Sequence, residues 1–279
     1  MGLAGILSAA SGTGSLLPII EQSFARAEIK KPLTPKDYLR ASGIPMLCAR
    51  EEVLCSKNQI TRPNDIDAGL NLTFLNGTAL HWAVQNKLLG PMGVLYGTWQ
   101  CEDCAKLYGV RPKDATDLQW ALPMPKVCSA KGCKSIEFKY VEPAFVDHDL
   151  RLTGHTDGFL TIPGLPGMGI LEIKSVGPRY AREVKVAPQI GHLVQAHIYM
   201  MFSGLRWAKI FYWLKAEAGM SMLQEHHVDR DEEIITRVQD LIRSIWSGIE
   251  TGELPERICA NATCPRAKAC PVTEKCFEA

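Results

Sequence analysis

The sequence lacks an apolar run of the ~20 residues that a membrane-spanning helix needs, so we expect no membrane partner. It also lacks an excess of either charge, since 31 Lys and Arg oppose 30 Asp and Glu. Any surface for nucleic acid must therefore come from local patches. With 46% hydrophobic and 22% charged residues among 279, the chain is neither disordered nor collagen-like nor a coiled coil. It predicts a globular protein of one large domain or two modest ones.

The first residues lack the features of targeting and nucleotide-binding segments. No Lys or Arg precedes their apolar residues, which argues against a secretory signal. Ile6 stands where a myristoylation signal after Gly2 has Ser or Thr. The run 11–15 is not followed by the Gly-Lys-Ser/Thr of a phosphate-binding loop. We interpret residues 1–30 as a flexible or partner-docking leader of a cytoplasmic protein.

The ten cysteines are the first informative feature, and they fall into a front pair, a middle set of four and a tail set of four. Close spacings of the Cys-x-x-Cys type, without an export signal, favour metal ligation in a reducing compartment over disulfides. The three groups are Cys48 and Cys55; Cys101, Cys104, Cys128 and Cys133; and Cys259, Cys264, Cys270 and Cys276.

The pattern of helix, three strands, helix and strand predicts a mixed α/β fold, in which helices cover a central sheet. After the leader, we divide the chain into an N-terminal helical part, an insert bounded by cysteine pairs, a core and a Cys-rich tail, at residues 31–96, 97–139, 140–250 and 251–279. The predicted helices are 37–58 with a break at 43–45, 78–89, 188–203 and 229–249, the last capped by Asp229. The predicted strands are 138–146, 150–160, 170–176, 207–214 and 221–228, and residues 61–75 are predicted to be irregular.

Two acidic segments on neighbouring predicted strands suggest a metal site. Glu172 and Lys174 point to one face of a strand because alternate residues share a face. A tight turn can bring Asp157 beside Glu172. Two carboxylates, a backbone carbonyl and waters suit Mg²⁺ or Mn²⁺, and a nearby lysine can orient or deprotonate water and stabilise charge on phosphate. Taken alone, the same alternation is typical of a half-solvated strand.

Two further motifs strengthen the functional interpretation. His81 follows Gly77 in the predicted helix 78–89, and Gln195 and Tyr199 lie four residues apart on one face of the helix after the acidic strand. The ordered set of Gly…His, Gly-x-x-Asp, Glu-x-Lys and Gln-x-x-x-Tyr resembles the RecB-like branch of the PD-(D/E)xK nucleases over residues 42–279.

The resemblance implies a restriction-endonuclease-like fold and a set of site residues. It implies metal ligation by His81, Asp157, Glu172 and the carbonyl of Ile173, with Lys174 as the catalytic lysine. Gln195 and Tyr199 would position DNA or this lysine. Glu142, on the preceding strand, offers an additional carboxylate.

The front and tail cysteines resemble those of iron–sulfur members of this branch, of the AddB and CRISPR-adaptation types. In those proteins one front cysteine joins three at the far end around a [4Fe–4S] cluster, for which four thiolates are the right ligand set. Here Cys48 precedes Arg50 in the Cys-x-Arg element, but the tail spacing departs from the family's Cys-x2-Cys-x5-Cys. Five cysteines compete for four places, and zinc held by the tail alone is an alternative. The five are Cys48, Cys259, Cys264, Cys270 and Cys276.

The middle cysteines form two close pairs separated by a loop, which is zinc-ribbon spacing. We predict structural zinc at Cys101, Cys104, Cys128 and Cys133. The insert they close would either staple a long loop or help to grip DNA. Cys55 has no partner at suitable spacing and is predicted to be buried.

The region between Lys174 and Gln195 is predicted to contact DNA, because basic residues with an interleaved aromatic suit phosphate contacts and base stacking. These residues are Arg179, Tyr180, Arg182 and Lys185; a solvated loop is the alternative. The resemblance implies a metal-dependent DNA nuclease of phage or bacterial type, and it favours an exonuclease over an endonuclease. Such an enzyme would serve recombination, repair or phage DNA processing, with a helicase or recombination protein as partner. The alternatives are an endonuclease within a larger complex and a non-catalytic DNA-binding subunit.

Overall fold

The computed structural model describes residues 16–27, 37–60, 67–112, 115 and 117–278. The chain divides into two compact units, of residues 1–36 with 61–79 and of residues 37–60 with 80–279. Most of the predicted leader lies outside the described residues. Its described part forms the helix α1, Leu17–Ala27.

The smaller unit also contains most of the helix α3, Ala68–Ala83, which passes into the larger unit after Ala79. The sequence predicted residues 61–75 to be irregular; the structure instead begins a helix at Ala68, and residues 61–66 lie outside the described residues. The Asp67 carboxylate accepts a hydrogen bond from the Leu70 amide at 2.7 Å. A side-chain cap of this kind satisfies an amide that the first turn leaves without a partner, which explains why the helix starts there.

The larger unit contains the remaining helices. A π-helix, Val84–Leu89, continues α3 directly, and a short 3₁₀ turn, Ile44–Met46, precedes the helix α2, Ala49–Lys57. The α-helices are α2 Ala49–Lys57, α4 Pro178–Val186, α5 Ile190–Ser203, α6 Glu232–Thr251, α7 Pro265–Ala269 and α8 Thr273–Glu278.

Eleven strands are described in the larger unit, and they form two sheets. The strands are β1 Leu39–Arg40, β2 Leu95–Cys101, β3 Leu107–Tyr108, β4 Leu122–Pro123, β5 Phe138–Val141, β6 Ala144–Asp147, β7 Leu152–His155, β8 Gly158–Leu160, β9 Gly169–Val176, β10 Trp207–Leu214 and β11 Leu223–Asp229. The large sheet has the order β11-β10-β9-β8-β2-β3, with β4 and β5 also paired to β2. The small sheet has the order β1-β7-β6.

The large sheet is mixed, because β9 and β10 are parallel whereas β8 and β9 form an antiparallel hairpin. The parallel pair requires a crossover, and α4 and α5 supply it. One large core lies among α5, α6 and both sheets, with Phe145, Phe159 and Ile242 buried in it. A second core, built on Trp99 and Tyr140, lies beneath the insert.

The predicted mixed α/β fold with a central sheet, flanking helices and a cysteine-bearing insert is confirmed. Among the residues that the structure describes, no helix has both the length and the apolar composition needed to cross a membrane.

Several predicted boundaries are wrong for identifiable reasons. The segment 37–58 contains the short strand β1, a 3₁₀ turn and α2 in place of one interrupted helix, because its Gly-Ile-Pro break is followed by the extended Leu47 and Cys48. The predicted strands 138–146 and 150–160 are each split in two, at Glu142–Pro143 and at Thr156–Asp157. The last long helix begins at Glu232, and its cap is Asp231, whose carboxylate accepts from the Glu233 amide at 2.8 Å.

Tight packing at the β8–β9 hairpin predicts a measurable difference between two Gly→Ala substitutions. A Cβ on Gly169 would lie 2.1 Å from the Trp207 ring, whereas one on Gly191, in α5, would lie 3.6 Å from the Pro45 Cβ. We expect Gly169→Ala to lower the free energy of unfolding by about 1–3 kcal/mol through overpacking. Gly191→Ala should be neutral or stabilising by up to about 1 kcal/mol. Urea unfolding measures both; equal effects would contradict the packing described at the hairpin.

Candidate active site and metal centres

The carboxylates of the site lie where the chain passes between the two sheets. Glu142 separates β5 of the large sheet from β6 of the small one, and Asp157 separates β7 of the small sheet from β8 of the large one. The Thr156 amide donates to the Pro143 carbonyl at 3.1 Å, which holds the two crossings side by side. Two acidic residues 15 positions apart in sequence therefore meet at one seam.

Asp157 is buried at this seam and is held from two directions. Its Oδ2 accepts a hydrogen bond of 2.5 Å from the amide of Ile173 in β9. Its Oδ1 lies 3.1 Å from Nδ1 of His81 in α3. The carboxylate is thus fixed between the sheet and the helix before any ligand binds.

His81 completes a group of three side chains with the chemistry of metal ligands. Its Nδ1 also lies 3.5 Å from Oε1 of Glu142, and one ligand atom from each of His81, Glu142 and Asp157 lies within 4.8 Å of the others. Burial lowers the pKa of the imidazole, but hydrogen bonds and charges from Asp157 and Glu142 outweigh burial and raise this pKa to about 10. The site therefore favours a positive charge at this point.

Glu172 and Lys174 lie next to this group on β9. Glu172 is 1% exposed, and its Oε1 is in ion-pair contact with Nζ of Lys174. Apart from this contact, neither carboxylate oxygen of Glu172 has a hydrogen-bond partner among the described residues. Burial raises the pKa of Glu172, with the charge of Lys174 acting in the opposite direction. For Lys174, burial lowers the pKa, but Glu172 and Asp157 outweigh it and the net shift is upward.

Gln85 is a site residue that the sequence analysis missed. It is 4% exposed, and its Nε2 donates to Oε1 of Glu142 at 3.0 Å and to the carbonyl of Asp157 at 2.9 Å. Gln85 therefore holds together the two segments that pass between the sheets, one at Glu142 and one at Asp157. The one signal in the sequence was its spacing of four residues after His81, which places both on one helical face.

The π-helix is the local cause of this alignment. Gln85 and the next residue, Asn86, are both buried polar residues, and Asn86 Oδ1 accepts from the Tyr140 amide in β5 at 2.6 Å. Tyr140 precedes Glu142 by two residues. Single π-turns within α-helices are common at functional sites, and here one directs two consecutive polar side chains towards the seam.

Gln195 and Tyr199 lie on α5 and bond to each other rather than to solvent. Gln195 Nε2 donates to the Tyr199 hydroxyl at 3.2 Å, and the two residues are 7% and 2% exposed. Gly154, the glycine of the Gly-x-x-Asp motif, allows this packing, because a Cβ there would lie 3.0 Å from the Tyr199 ring. This burial favours support of the site over direct contact with DNA.

The side chains present fit a divalent cation. They offer two seam carboxylates, an imidazole and the buried carboxylate of Glu172, a donor set suited to Mn²⁺ and, through its oxygens, to Mg²⁺. The Ile173 carbonyl, which the resemblance adds as a ligand, belongs to β9 beside Glu172.

The four middle cysteines converge at one end of β2. Their sulfur atoms lie within 4.8 Å of one another, with Cys101 and Cys133 3.8 Å apart and Cys104 and Cys128 3.5 Å apart. Tetrahedral zinc with bonds of about 2.3 Å requires sulfur separations of about 3.8 Å, so the geometry fits zinc. A hydrogen bond from the Tyr108 hydroxyl lowers the pKa of Cys128 to about 6, which favours the thiolate that ligates metal.

The tail folds back onto the front of the larger unit. Cys48, Cys259, Cys270 and Cys276 line one cavity together with Arg50, Arg257 and Arg266. Arg50 donates to the Pro255 carbonyl at 3.0 Å, and Arg266 donates to the Met46 carbonyl at 2.9 Å. The fifth candidate, Cys264, interacts with Cys259, and its sulfur accepts from the Ala267 amide at 3.3 Å. Cys55 is buried nearby with Val272.

The donor set of this cavity fits a thiolate-held metal centre, but its geometry is looser than that of the insert. Cys48 and the tail cysteines do not form a group with sulfur atoms within 4.8 Å of one another in the described part of the chain. The arginines that line the cavity would offset the negative charge of four thiolates.

The basic residues predicted to contact DNA form a helix and not a loop. Pro178 at the first position and the buried pair Ala181 and Val184 explain α4, because buried residues three apart share a helical face. Arg179, Tyr180, Arg182 and Lys185 are exposed on it. Lys185 is paired with Glu217 at 2.6 Å, and the Arg179 guanidinium lies 5.3 Å from the Tyr180 ring centre.

Comparison with family models gives no match, and comparison with curated protein sequences gives none either. Among solved structures, the chain is similar to the alkaline exonuclease LHK-Exo from Laribacter hongkongensis, with a TM-score of 0.45 and 12% identity over 78% of this chain and 90% of that one. The complex of LHK-Exo with dAMP gives a TM-score of 0.46 and 13% identity over the same shares of the two chains. The protein SSO0001 gives a TM-score of 0.41 and 13% identity over 93% of this chain and 98% of that one. At these scores and identities the similarity assigns no residue and no activity to this chain.

The convergence of the insert cysteines predicts a zinc content. Protein purified without chelators should contain about one zinc per chain at this site, because four thiolates close a structural centre. Cys104→Ser should lower the zinc content and the stability of the insert, whereas Ser129→Ala, at an exposed position in the same insert, should retain the metal. Elemental analysis and thermal unfolding measure both effects. An insert that folds with no metal would contradict the assignment.

Proposed function

We propose that the protein is a Mg²⁺- or Mn²⁺-dependent deoxyribonuclease that hydrolyses phosphodiester bonds. The observation that carries this proposal is the group of His81, Glu142 and Asp157 beside the buried pair of Glu172 and Lys174. When bound there, the cation supplies Lewis-acid polarisation of a phosphate and lowers the pKa of water. The ligands would be His81, Asp157, Glu172 and the Ile173 carbonyl, with Glu142 as an addition to the predicted set.

The chain's own residues supply positioning and charge. The Lys174 side chain is 23% exposed, so its ammonium is able to reach a substrate phosphate while still touching Glu172. It donates hydrogen bonds to a water or to the phosphate oxygens and offsets the negative charge that develops there. Gln85 holds the Glu142 carboxylate and the Asp157 backbone in place, and Gln195 with Tyr199 packs behind them. Arg179, Tyr180, Arg182 and Lys185 offer an exposed basic surface for the DNA strand.

We propose exonuclease action at DNA ends in recombination, repair or phage DNA processing in the cytoplasm, on the basis of the four ordered motifs. The chemistry at the metal is the same for an endonuclease, so the substrate must decide. Linear DNA with free ends should be degraded, whereas the same DNA with both ends blocked, or closed into a circle, should persist. Cleavage of the circle at a similar rate would make the protein an endonuclease.

For the tail we propose a [4Fe–4S] cluster held by four of Cys48, Cys259, Cys264, Cys270 and Cys276. Support comes from the thiols and arginines that line one cavity and from the Cys-x-Arg element at the front. The alternative is a second zinc bound by the tail cysteines.

The catalytic assignment predicts the outcome of isosteric substitutions. Glu172→Gln and Lys174→Met should each lower metal-dependent DNA cleavage by at least about 100-fold, because they remove a ligand charge and a phosphate-stabilising charge. The control is Lys209→Met on the adjacent strand β10, where Lys209 pairs with Glu225. It should retain activity within about twofold. A folded Glu172→Gln variant with wild-type cleavage would overturn the assignment, and a wild-type protein that binds DNA without cleaving it would be a non-catalytic subunit.

The cluster proposal predicts colour and stability together. Anaerobically purified protein should absorb broadly near about 400 nm and contain about four irons per chain. Ligation of both Cys48 and the tail closes a loop of roughly two hundred residues, which should contribute about 5 kcal/mol in a chain-entropy account. Cys48→Ser should therefore bleach the protein and destabilise it, whereas Cys55→Ser should keep the colour. A colourless protein with two zincs and no iron would establish the zinc alternative.

A further inference from the structure

The second half of the insert carries a concentration of positive charge that the proposed active site does not use. We name residues 126–136 the cationic loop. It contains Lys126, Lys131 and Lys134, all exposed, and no acidic residue. Two apolar side chains, Val127 and Ile136, are also exposed on it, at 51% and 66%.

None of the three lysines forms an ion pair with an acidic residue that the structure describes. Elsewhere on the larger unit, Lys209 pairs with Glu225 and Arg243 with Asp240. The acidic residues Glu102 and Glu137 are brought together at the end of β2, where the Glu102 amide donates to the Glu137 carbonyl at 3.0 Å. The cationic loop itself therefore carries only positive charge, and Glu137 follows directly after it.

The cysteine site holds the loop in a defined shape. Cys128 and Cys133 anchor it at two points, and the Cys128 amide donates to the Ser135 carbonyl at 2.8 Å. Lys106, from the other half of the insert, donates to Ser129 at 3.0 Å and adds a fourth cation at this edge. A preorganised set of cations loses less conformational freedom on binding than lysines on a flexible tail.

The strand β5 connects the cationic loop directly to the active-site seam. Glu142 follows the last residue of β5, and the exposed Lys139 lies three residues before it. Lys134 lies eight residues before it. At about 3.4 Å per extended residue, these spacings correspond to at most about 10 Å and about 27 Å. In B-form DNA each strand has one phosphate per about 3.4 Å of axis, so Lys139 and Lys134 lie within about three and about eight phosphates of Glu142.

We propose that the cationic loop and Lys139 bind the backbone of the DNA strand next to the scissile bond, with Lys139 within about three nucleotides of it and Lys134 within about eight. The proposal deepens the proposed function and rests on it for the identity of the substrate. A phosphodiester backbone is favoured over an acidic protein because the cations lead away from a site that itself suits phosphate. The exposed Val127 and Ile136 would contact the sugars and bases between phosphates.

The test compares two triple variants with the same loss of charge. One is Lys126→Ala/Lys131→Ala/Lys134→Ala, and the other is Lys57→Ala/Lys268→Ala/Lys275→Ala, which removes three exposed lysines outside the insert. Both are made in the Glu172→Gln background, so that DNA binding is measured without cleavage. Fluorescence anisotropy of a labelled 20-nucleotide strand is recorded across a salt series. Zinc content and thermal unfolding check that each variant is folded.

The insert variant should bind at least tenfold more weakly, and the slope of log affinity against log salt should fall by about 2, at about 0.7 per phosphate contact of a single strand. The control variant should keep the parental slope. An unchanged slope in the insert variant, or the same loss in both variants, would overturn the proposal.

Cleavage assays in the wild-type background separate this proposal from the proposed function. The insert variant should cleave a four-nucleotide substrate like the wild type. For the wild type, KM should fall as the substrate becomes longer, and the insert variant should lose this decrease. A nuclease whose length dependence is unchanged by the substitutions refutes only the inference. A protein that never cleaves, yet binds DNA through these lysines, refutes only the proposed function.

Discussion

Asp157 is the residue on which the rest of the candidate site depends. Its side chain joins β9 through the Ile173 amide and α3 through His81, and its backbone carbonyl accepts from Gln85. One residue thus ties a sheet crossing, a strand and a helix together. Because each contact uses a different atom of Asp157, the position of the carboxylate is over-determined, which is how preorganised electrostatic sites avoid reorganisation during reaction.

Both groups of cysteines lie outside this seam and hold together other parts of the larger unit. The insert site lies at the far end of β2, whose other residues pair with β5 and β8 on either side of the seam. The tail cavity joins α2 to the last residues of the chain. Neither group supplies a ligand to the carboxylate site. Their loss should therefore weaken the framework of the site and leave its chemistry unaltered.

Part of this arrangement follows from local sequence pattern. Strand alternation and a tight turn predicted that Glu172 and Lys174 would share a face and that Asp157 would lie beside Glu172, and the structure brings the three together. The close spacings of the middle cysteines predicted their convergence. These features depend on residues near one another in sequence, whose geometry is set by the period of a strand or the reach of a turn.

What could not be predicted depends on tertiary contacts. Gln85 belongs to the site through its hydrogen bonds to Glu142 and to the Asp157 carbonyl, which residue spacing alone does not reveal. Glu142 was predicted as an additional carboxylate, but its approach to His81 depends on the pairing of β5 with β2. The chain passes between the two sheets at Pro143 and at Thr156, and in the sequence only the proline indicates such a break. The basic segment that forms α4 was predicted to contact DNA but was not predicted to be a helix, because its apolar face consists of just Ala181 and Val184.

The central claim is that His81, Glu142, Asp157 and Glu172 form a cation site. Anomalous diffraction from crystals soaked in Mn²⁺ tests it most directly. The account predicts a peak within about 2.0–2.4 Å of an Asp157 carboxylate oxygen, with His81 or Glu172 as a further ligand. A site in which His81 and Asp157 stay paired without a peak, while Mn²⁺ binds elsewhere on the same molecule, would contradict it.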